Sequence, residues 1–171
     1  MTTPSRQSLA TIQDTIGDQW TGTPHYPFCF HGNTHKLLVD TGANHTMVDQ
    51  AFADSQQLDQ VLIRFKAIQV ADSCRVAITQ ETVPFSVRMG NIQVKLSGPI
   101  MAGLSHNIIT GINWLQHNHP YIDWITCVAT LNRNGVGFQI YTVEMSNLLH
   151  NTVFVRMTET GSYNFKGGTR L

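Results

Sequence analysis

The sequence predicts an all-β domain, a small barrel or sandwich of short strands with one short helix. Three observations indicate this class: the apolar runs are short, turn residues separate them at close spacing, and 42% of the 171 residues are apolar. Closely spaced short strands with turn signals are typical of small barrels and sandwiches. The length suits a single domain with tails, and the apolar fraction is sufficient for a hydrophobic core.

Turn residues between apolar runs predict three β-hairpins. In the first, HGNT separates YPFCFHG from THKLLVD. In the second, DSC separates FKAIQVA from RVAITQ, and in the third, Gly90 and Asn91 separate VPFSVRMG from IQVKLSG. MVDQAFADSQQL is expected to be a loop or a short helical turn.

The remaining segments complete the element prediction. INWLQHNH is the helix candidate, with Pro120 stopping it. YIDWI and CVATL are predicted strands, and NRNG turns the chain into a further strand, VGFQIYTV. Trp114 and Trp124 are expected to anchor the core. The predicted division is a flexible leader at 1–21, a folded domain at 22–143 and a partly ordered extension or tail at 144–171.

Charge and cysteine content exclude several functions. Lys plus Arg and Asp plus Glu each number 11, so the chain is formally neutral, and nucleic acid is not an expected partner. No apolar run approaches the ~18 residues of a membrane span, so no membrane partner is expected either. Three cysteines without CxxC spacing indicate free thiols. The histidines lack the i, i+4 spacing of helical zinc ligands, so neither a metal nor a cofactor is predicted.

Asp40 is the most informative residue, because the apolar run LLV leads directly into it and Gly42 follows two positions later. A carboxylate in apolar surroundings is costly unless it is hydrogen-bonded or shares a proton. Gly42 allows close backbone approach, and the Thr41 hydroxyl can bond across a tight turn. Asp-Thr-Gly alone also fits an ordinary turn at the end of a strand.

The wider context resembles the retropepsin-like aspartic proteases. LLVDTGANHTMV is similar to their active-site loop, and NIITGINWLQHNHPYIDW resembles the matching later segment of gypsy-type LTR retrotransposon proteases. The two motifs occur in the family's order, and the resemblance runs from Tyr26 to Leu131. It implies a retropepsin-like closed barrel with a flap hairpin.

The resemblance implies that Asp40, Thr41 and Gly42 form half of a catalytic site. These enzymes use two carboxylates that share a proton to activate one water. A second Asp-Thr-Gly or Asp-Ser-Gly is missing from the sequence. A two-fold homodimer is therefore predicted, in which Asp40 meets its symmetry mate and Thr41 bonds across the axis.

The resemblance also implies a cleft for an extended peptide. Its floor would be Gly42, Ala43, Asn44 and His45, and Ile109 would form an apolar wall. The flap would be the hairpin 67–79, whose predicted peptide-contacting residues are Val70, Ala71, Asp72, Ser73 and Cys74. A surface hairpin without a role is the alternative for this segment.

Several positions depart from relatives. The acid and the arginine that form an ion pair in many retroviral members are replaced here by Asn44 and Ile112. Asn113 stands where the gypsy-type segment commonly has Asp, and Thr110 stands where an aliphatic residue is usual. Retroviral-type dimer contacts are therefore not expected at the first two positions.

The predicted function is an aspartic endopeptidase that processes a retrotransposon or retrovirus-like polyprotein, in the cytoplasm or within a virus-like particle. The ends of the chain are those expected of a segment taken from a longer polyprotein. Two alternatives stay open: a non-catalytic dimerisation or peptide-binding module, and a domesticated cellular protease of the same fold. The C-terminal residues 132–171 are expected either to add an interface strand or to fold back over the cleft.

Overall fold

The computed structural model describes residues 24–69 and 75–145. These residues form mainly β-structure with two short helices, α1 (Gln50–Ser55) and α2 (Ile112–Asn118), and residues 143–145 are also helical. The strands are β1 (His25–Phe30), β2 (Asn33–Val39), β3 (Met47–Asp49), β4 (Gln60–Gln69), β5 (Arg75–Thr82), β6 (Phe85–Met89), β7 (Ile92–Leu96), β8 (Ile100–Met101), β9 (Ile108–Thr110), β10 (Tyr121–Ile122), β11 (Ala129–Arg133) and β12 (Val136–Ile140). None of the helices in these ranges is long and apolar enough to cross a membrane.

The main sheet has seven strands in the order β7-β6-β1-β2-β9-β3-β8. Strands β1 and β2 form an antiparallel hairpin, and so do β6 and β7. Strand β2 also pairs in parallel with β9, so that Val39 lies opposite Thr110. This long-range pairing places the end of β2, which leads into Asp40, beside the NIITG residues of the second motif.

Two smaller sheets complete the fold. Strands β4 and β5 form a separate hairpin, with an irregular register between Leu62 and Lys66. Strands β10, β11 and β12 form a three-stranded antiparallel sheet after α2. The predicted fold class is confirmed, and all three predicted hairpins are present as strand pairs.

Alternation along the strands builds the core. Tyr26 and Phe28 of β1 and Leu37 and Val39 of β2 are buried, while the residues between them are more exposed. This period of two places one face of each strand against the interior. The same alternation in β6 and β7 buries a set of aliphatic side chains, which are Val87, Met89, Ile92, Val94 and Leu96.

Nearby residues determine where α1 begins and where α2 ends. The Asp49 side chain accepts a hydrogen bond from the Phe52 amide at 3.2 Å, which caps α1. Of the segment predicted to be a loop or a short helical turn, Gln50–Ser55 is helical, whereas Met47–Asp49 is strand β3, which was not predicted. Helix α2 ends at His119, whose left-handed backbone (φ 44°) is followed by Pro120, as predicted.

Two predictions for the C-terminal half are wrong in detail. Only Tyr121–Ile122 of YIDWI is strand, because the chain turns at Asp123. Trp114 is buried as expected, but Trp124 is 61% exposed and is not a core anchor. Predictions for the leader, for the tip of the second hairpin and for residues after 145 lie outside the described residues.

Candidate active site

Asp40 is positioned by the parallel pair β2 and β9. Its amide donates to the Thr110 carbonyl oxygen at 3.0 Å, which continues the ladder one residue beyond β2. The side chain of Thr110 is fully buried, and its hydroxyl donates to the Leu38 carbonyl oxygen at 3.0 Å. Thr110 stands where an aliphatic residue is usual, and its hydroxyl is thus hydrogen-bonded. This bond connects β9 to β2, the strand that leads into Asp40.

The turn after Asp40 orients the carboxylate. The Gly42 amide donates to Asp40 Oδ1 at 2.8 Å, and the Ala43 amide donates to the Asp40 carbonyl oxygen at 3.2 Å. A β-carbon at Gly42 would lie 3.1 Å from Asp40 Oδ1, so a side chain there would press on the carboxylate. The half-buried carboxylate is therefore fixed at a strand end beside exposed Thr41 and Gly42.

Helix α2 holds the far side of the same loop. The Ile112 amide donates to the Ala43 carbonyl oxygen at 2.8 Å. Asn113 Oδ1 accepts from both the amide (2.8 Å) and the hydroxyl (3.1 Å) of Thr46, a side chain that is 2% exposed. The loop that begins at Asp40 is thus held at both of its ends.

Gly111 allows this contact between helix and loop. A β-carbon at Gly111 would lie 2.5 Å from the Ala43 carbonyl oxygen and 2.7 Å from that of His45. Real β-carbons do not approach backbone oxygens so closely, so only glycine fits here. The requirement arises from the long-range packing, which the spacing along the sequence does not show.

A groove opens beside Thr41. It has a volume of about 340 Å³ and is lined by Thr41, Leu115, His119, Pro120, Ile122 and Trp124. Trp124 reaches it because the Asp123 side chain accepts hydrogen bonds from the Ile125 amide at 2.9 Å and the Thr126 amide at 3.4 Å. This turn directs Trp124 outward and Cys127 inward.

The family can be assigned once this geometry is compared with known proteins. The family model of the PEG10/RTL1 protease domain matches residues 36–135, which is more than half of the chain. The chain belongs to this family. The retropepsin-like, gypsy-type resemblance drawn from the two motifs is confirmed.

Three solved structures are similar to this chain, and the one with a TM-score above 0.5 supports the retropepsin-like fold. The retroviral protease-like domain of Ddi1 from Leishmania major is 12% identical, with a TM-score of 0.53, over 72% of this chain and 92% of that one. A retropepsin-like aspartic protease from Rickettsia conorii is 20% identical, with a TM-score of 0.41, over 60% of this chain and 77% of that one. EIAV protease complexed with the inhibitor HBY-793 is 15% identical, with a TM-score of 0.45, over 57% of this chain and 88% of that one.

The family's site residues are distributed as follows. Asn44 and His45 are exposed and Ala43 is half-buried on the loop after Asp40. Ile109 is only 8% exposed, in β9 opposite Leu38. The predicted flap residues 70–74 lie outside the described ranges, although the arms of their hairpin pair as far as Gln69 and Arg75. The roles of all these residues in substrate binding stay predictions.

Two structural residues were not recognised from the sequence. Asn113 was noted only as a replacement for Asp, and Asp123 was placed in a strand. The sequence does contain a signal for the turn, because Asp123 is followed closely by Thr126. An acid shortly before a threonine is typical of turns that side chains cap. Within residues 24–69 and 75–145, no three His, Cys, Asp or Glu side chains lie close enough together to hold a metal ion.

Proposed function

We propose that this domain is an aspartic endopeptidase that acts as a two-fold homodimer. The observation that carries the proposal is a single Asp-Thr-Gly carboxylate, fixed at a strand end by the Gly42 amide at 2.8 Å. One chain supplies one such acid, whereas peptide hydrolysis by this chemistry needs two. The missing acid is the Asp40 of a second copy, with Thr41 bonding across the axis.

The two carboxyl groups divide the chemistry between them. The ionised carboxylate takes a proton from a water molecule, and the water oxygen attacks the scissile carbonyl carbon. The protonated carboxyl group gives its proton to the carbonyl oxygen. The resulting tetrahedral diol collapses when the carboxyl group that took the water proton gives it to the amide nitrogen, while one diol hydroxyl gives its proton to the other carboxylate. The C–N bond then breaks, and the products are one carboxylic acid and one amine.

The substrate is an extended peptide segment, and a polyprotein that contains this domain is the proposed natural source. Residues 42–45 and Ile109 form the proposed floor and wall, and residues 70–74 of the flap form the proposed roof. An extended peptide between two backbone segments is held by main-chain hydrogen bonds, which makes recognition tolerant of sequence outside a few side-chain pockets.

Asp40→Asn tests the catalytic assignment. We expect cleavage of a peptide library to fall at least about a hundredfold, because general acid and base catalysis each contribute at least this much. The matched control is Asp59→Asn, since Asp59 is an exposed acid at the end of the loop after α1. The Asp59→Asn protein should cleave at the wild-type rate. A folded Asp40→Asn protein with wild-type activity would overturn the proposal, as would an inactive wild type.

Mixing the two proteins tests whether the site is shared. Asp40→Asn chains in threefold excess should leave about a quarter of the wild-type chains paired with each other, if pairing is random. Cleavage per wild-type chain should fall to the same fraction. Activity that does not change on mixing would show that each chain works alone.

A further inference from the structure

Strand β4 displays large apolar side chains at the open edge of a sheet. Leu62 is 82% exposed and Phe65 is 71% exposed, and Val61 beside them is 43% exposed. In the part of the chain that the structure describes, β4 pairs with β5 and with no other strand. The backbone N–H and C=O groups on its other side therefore have no strand partner there. An edge of this kind is a template for an added strand.

Strand β7 shows how the protein protects a different edge. It lies at the end of the seven-stranded sheet, and its exposed residues are Gln93 and Lys95, whereas Ile92, Val94 and Leu96 are buried. Polar and lysine side chains on an edge discourage pairing with other chains. The apolar side chains of β4 have the opposite effect, because contiguous exposed apolar residues mark interaction sites.

The pairing between β4 and β5 is irregular at these side chains. Leu62 lies opposite Gln80. Lys66, four positions further along β4, lies opposite Ile78, which is only two positions from Gln80. Residues 63–65 therefore stand opposite a single residue of β5. Bulges bend a strand, re-aim its side chains and are frequent beside functional sites, so this edge has a local shape that a partner can recognise.

Hydrogen bonds join the base of this hairpin to the rest of the domain. The Thr82 amide donates to the Gly98 carbonyl oxygen at 3.0 Å, and the Gly98 amide donates to the Thr82 hydroxyl at 3.1 Å. Beyond the base the sheet has two strands, and two-stranded sheets are marginally stable in water. A third strand beside β4 would stabilise the hairpin through cross-strand side-chain pairs while covering Leu62 and Phe65.

Two cations on β4 define the chemistry of the partner. Arg64 is exposed and Lys66 is half-buried. The ion pair among the described residues joins His25 to Glu144, so Arg64 and Lys66 have no acidic partner within them. Like charges opposite each other destabilise a strand pair, so two copies of β4 would repel each other. Acidic side chains on an added strand would instead be attracted to these cations.

The acids of the hairpin lie at its base. Asp59 directly precedes β4, and Glu81 of β5 lies opposite Val61. The charge along β4 therefore changes from acidic at the base to basic at Arg64 and Lys66. A bound strand should have its acidic side chains beside these cations and uncharged side chains beside the two acids.

We propose that the edge of β4, residues 61–66, binds an extended segment of another protein in which acidic and apolar side chains alternate. The segment adds to the sheet through main-chain hydrogen bonds and covers Leu62 and Phe65 with its apolar side chains. Its acids lie beside Arg64 and Lys66. This inference does not rest on the proposed function, because such binding needs neither the candidate active site nor a second copy of this chain.

Fluorescence anisotropy of a labelled nonapeptide measures this binding. The probe has valine or leucine at its odd positions, two glutamates at the central even positions and threonine at the outer even positions. Its sequence is symmetrical, so it suits parallel and antiparallel addition alike. The parent protein for these measurements is the full chain with Asp40→Asn, which keeps the probe from being cleaved, and we expect saturable binding.

Two substitutions and a charge-matched control locate the site. Phe65→Ser should raise the dissociation constant of the probe at least about 30-fold, because loss of a central apolar contact has an effect of this size. Arg64→Glu should raise it at least about fivefold, since an attraction becomes a repulsion. The control Lys95→Glu makes the same change of charge at an exposed position of β7 and should bind like the parent protein.

A reversal of both charges distinguishes recognition from damage to the fold. A protein with both Arg64→Glu and Lys66→Glu should bind the glutamate probe weakly. It should bind a probe with lysines in place of the glutamates more tightly than the parent protein does. A purely structural effect would weaken both probes alike, and that result would overturn the proposal.

Methylation of backbone nitrogens in the probe tests strand addition. In an extended peptide, the N–H groups of successive residues point to opposite sides. Of two probes, one methylated at odd positions and one at even positions, only one therefore keeps the N–H groups that face β4. We expect that probe to bind like the unmethylated one and the other to bind at least about tenfold more weakly. Equal affinities of the two would exclude an added strand.

Three further outcomes would overturn the proposal. The first is a parent protein that does not bind the probe, including the case in which its own leader or tail covers β4. The second is unchanged affinity in Phe65→Ser. The third is loss of probe binding in the wild type when a statine-type peptide, which mimics the tetrahedral intermediate, saturates the proposed substrate cleft.

Thermal unfolding serves as the check on folding. Arg64 and Phe65 are exposed, so Arg64→Glu and Phe65→Ser should keep the melting temperature of the parent protein. If Phe65→Ser does not fold, the two methylated probes decide the result, because they leave the protein unchanged.

Discussion

Asn113 shows how a single side chain can keep the loop after Asp40 in place. Its Oδ1 atom accepts from the amide and the hydroxyl of Thr46, across 67 positions of sequence. Aspartate, common at this position in gypsy-type relatives, presents the same oxygen acceptors. The substitution therefore preserves the hydrogen bonds while removing a charge, in the same chain that lacks the ion pair at Asn44 and Ile112.

Replacing Asn113 tests this function of the side chain. Asn113→Ala should lower the free energy of unfolding by about 1–3 kcal/mol, because buried Thr46 loses its acceptor. Urea denaturation measures the change. Asn113→Asp keeps the acceptor and should stay within about 0.5 kcal/mol of the wild type. Equal losses in the two variants would contradict the hydrogen-bond explanation.

Secondary-structure elements with local causes could be predicted from the sequence. The hairpins follow from period-two alternation and from turn residues such as Gly90 and Asn91, both of which act over a few positions. The end of α2 followed from Pro120 in the same way. The parallel pairing of β2 with β9 was not predicted, because no local pattern specifies which strands meet across the sheet.

The wrong predictions for residues 121–127 also arose because local patterns do not specify tertiary contacts. Trp124 was assigned to the core because large apolar side chains are usually buried. The hydrogen bonds of Asp123 reverse the chain there and place Cys127 inside instead. For the candidate site, the motif predicts a catalytic role for Asp40, Thr41 and Gly42, and this role stays a prediction. The supporting contacts of Gly111 and Asn113 depend on tertiary packing and required the structure.

The first hairpin contains a histidine that makes the fold sensitive to acid. His35 lies in β2 opposite Phe28, with the Phe52 ring 4.9 Å away, and its buried Nε2 atom has no hydrogen-bond partner among the described residues. Burial lowers the pKa of His35 below its usual 6.5, against an opposing hydrogen bond with the Phe30 backbone. The unfolded chain therefore binds this proton more readily than the folded one.

The contribution of neutral His35 to the free energy of unfolding should therefore be fully present above pH 6.5. It should be lost as the pH falls from 6.5 through the folded-state pKa of His35. Melting temperatures between about pH 7.5 and 5 measure this loss. His35→Phe should reduce the slope. A residual slope is expected from His106, whose pKa burial also lowers. An unchanged slope in His35→Phe would contradict the assignment.

On the scale of the whole molecule, the domain extends beyond the part that identifies its family. The family match covers residues 36–135, yet Tyr26 and Phe28 of β1 belong to the core, and β12 completes the last sheet. His25 at the start of β1 also pairs with Glu144, with 2.8 Å between Nε2 and Oε1. The two ends of the described domain are therefore close together.

A site shared between two copies makes activity depend on concentration. Cleavage per chain should rise with protein concentration and level off above the dimer dissociation constant, because only the dimer has both acids. A dilution series of cleavage rates, compared with sedimentation on the same samples, measures both curves. Constant cleavage per chain across the dissociation constant would exclude a shared site.

The position of β2 between β1 and β9 also sets an order of events during synthesis. Strand β1 precedes β2 directly, but β9 begins at residue 108 of 171, and the helix that holds the Asp40 loop follows it. Pairing between such distant segments is slow, because a long stretch of chain must first be closed into a loop. A nascent chain that has not yet emerged beyond α2 therefore lacks the structure that positions Asp40. For the proposed endopeptidase, this means that sequences beside the domain in a nascent polyprotein are not cleaved by it until α2 has left the ribosome.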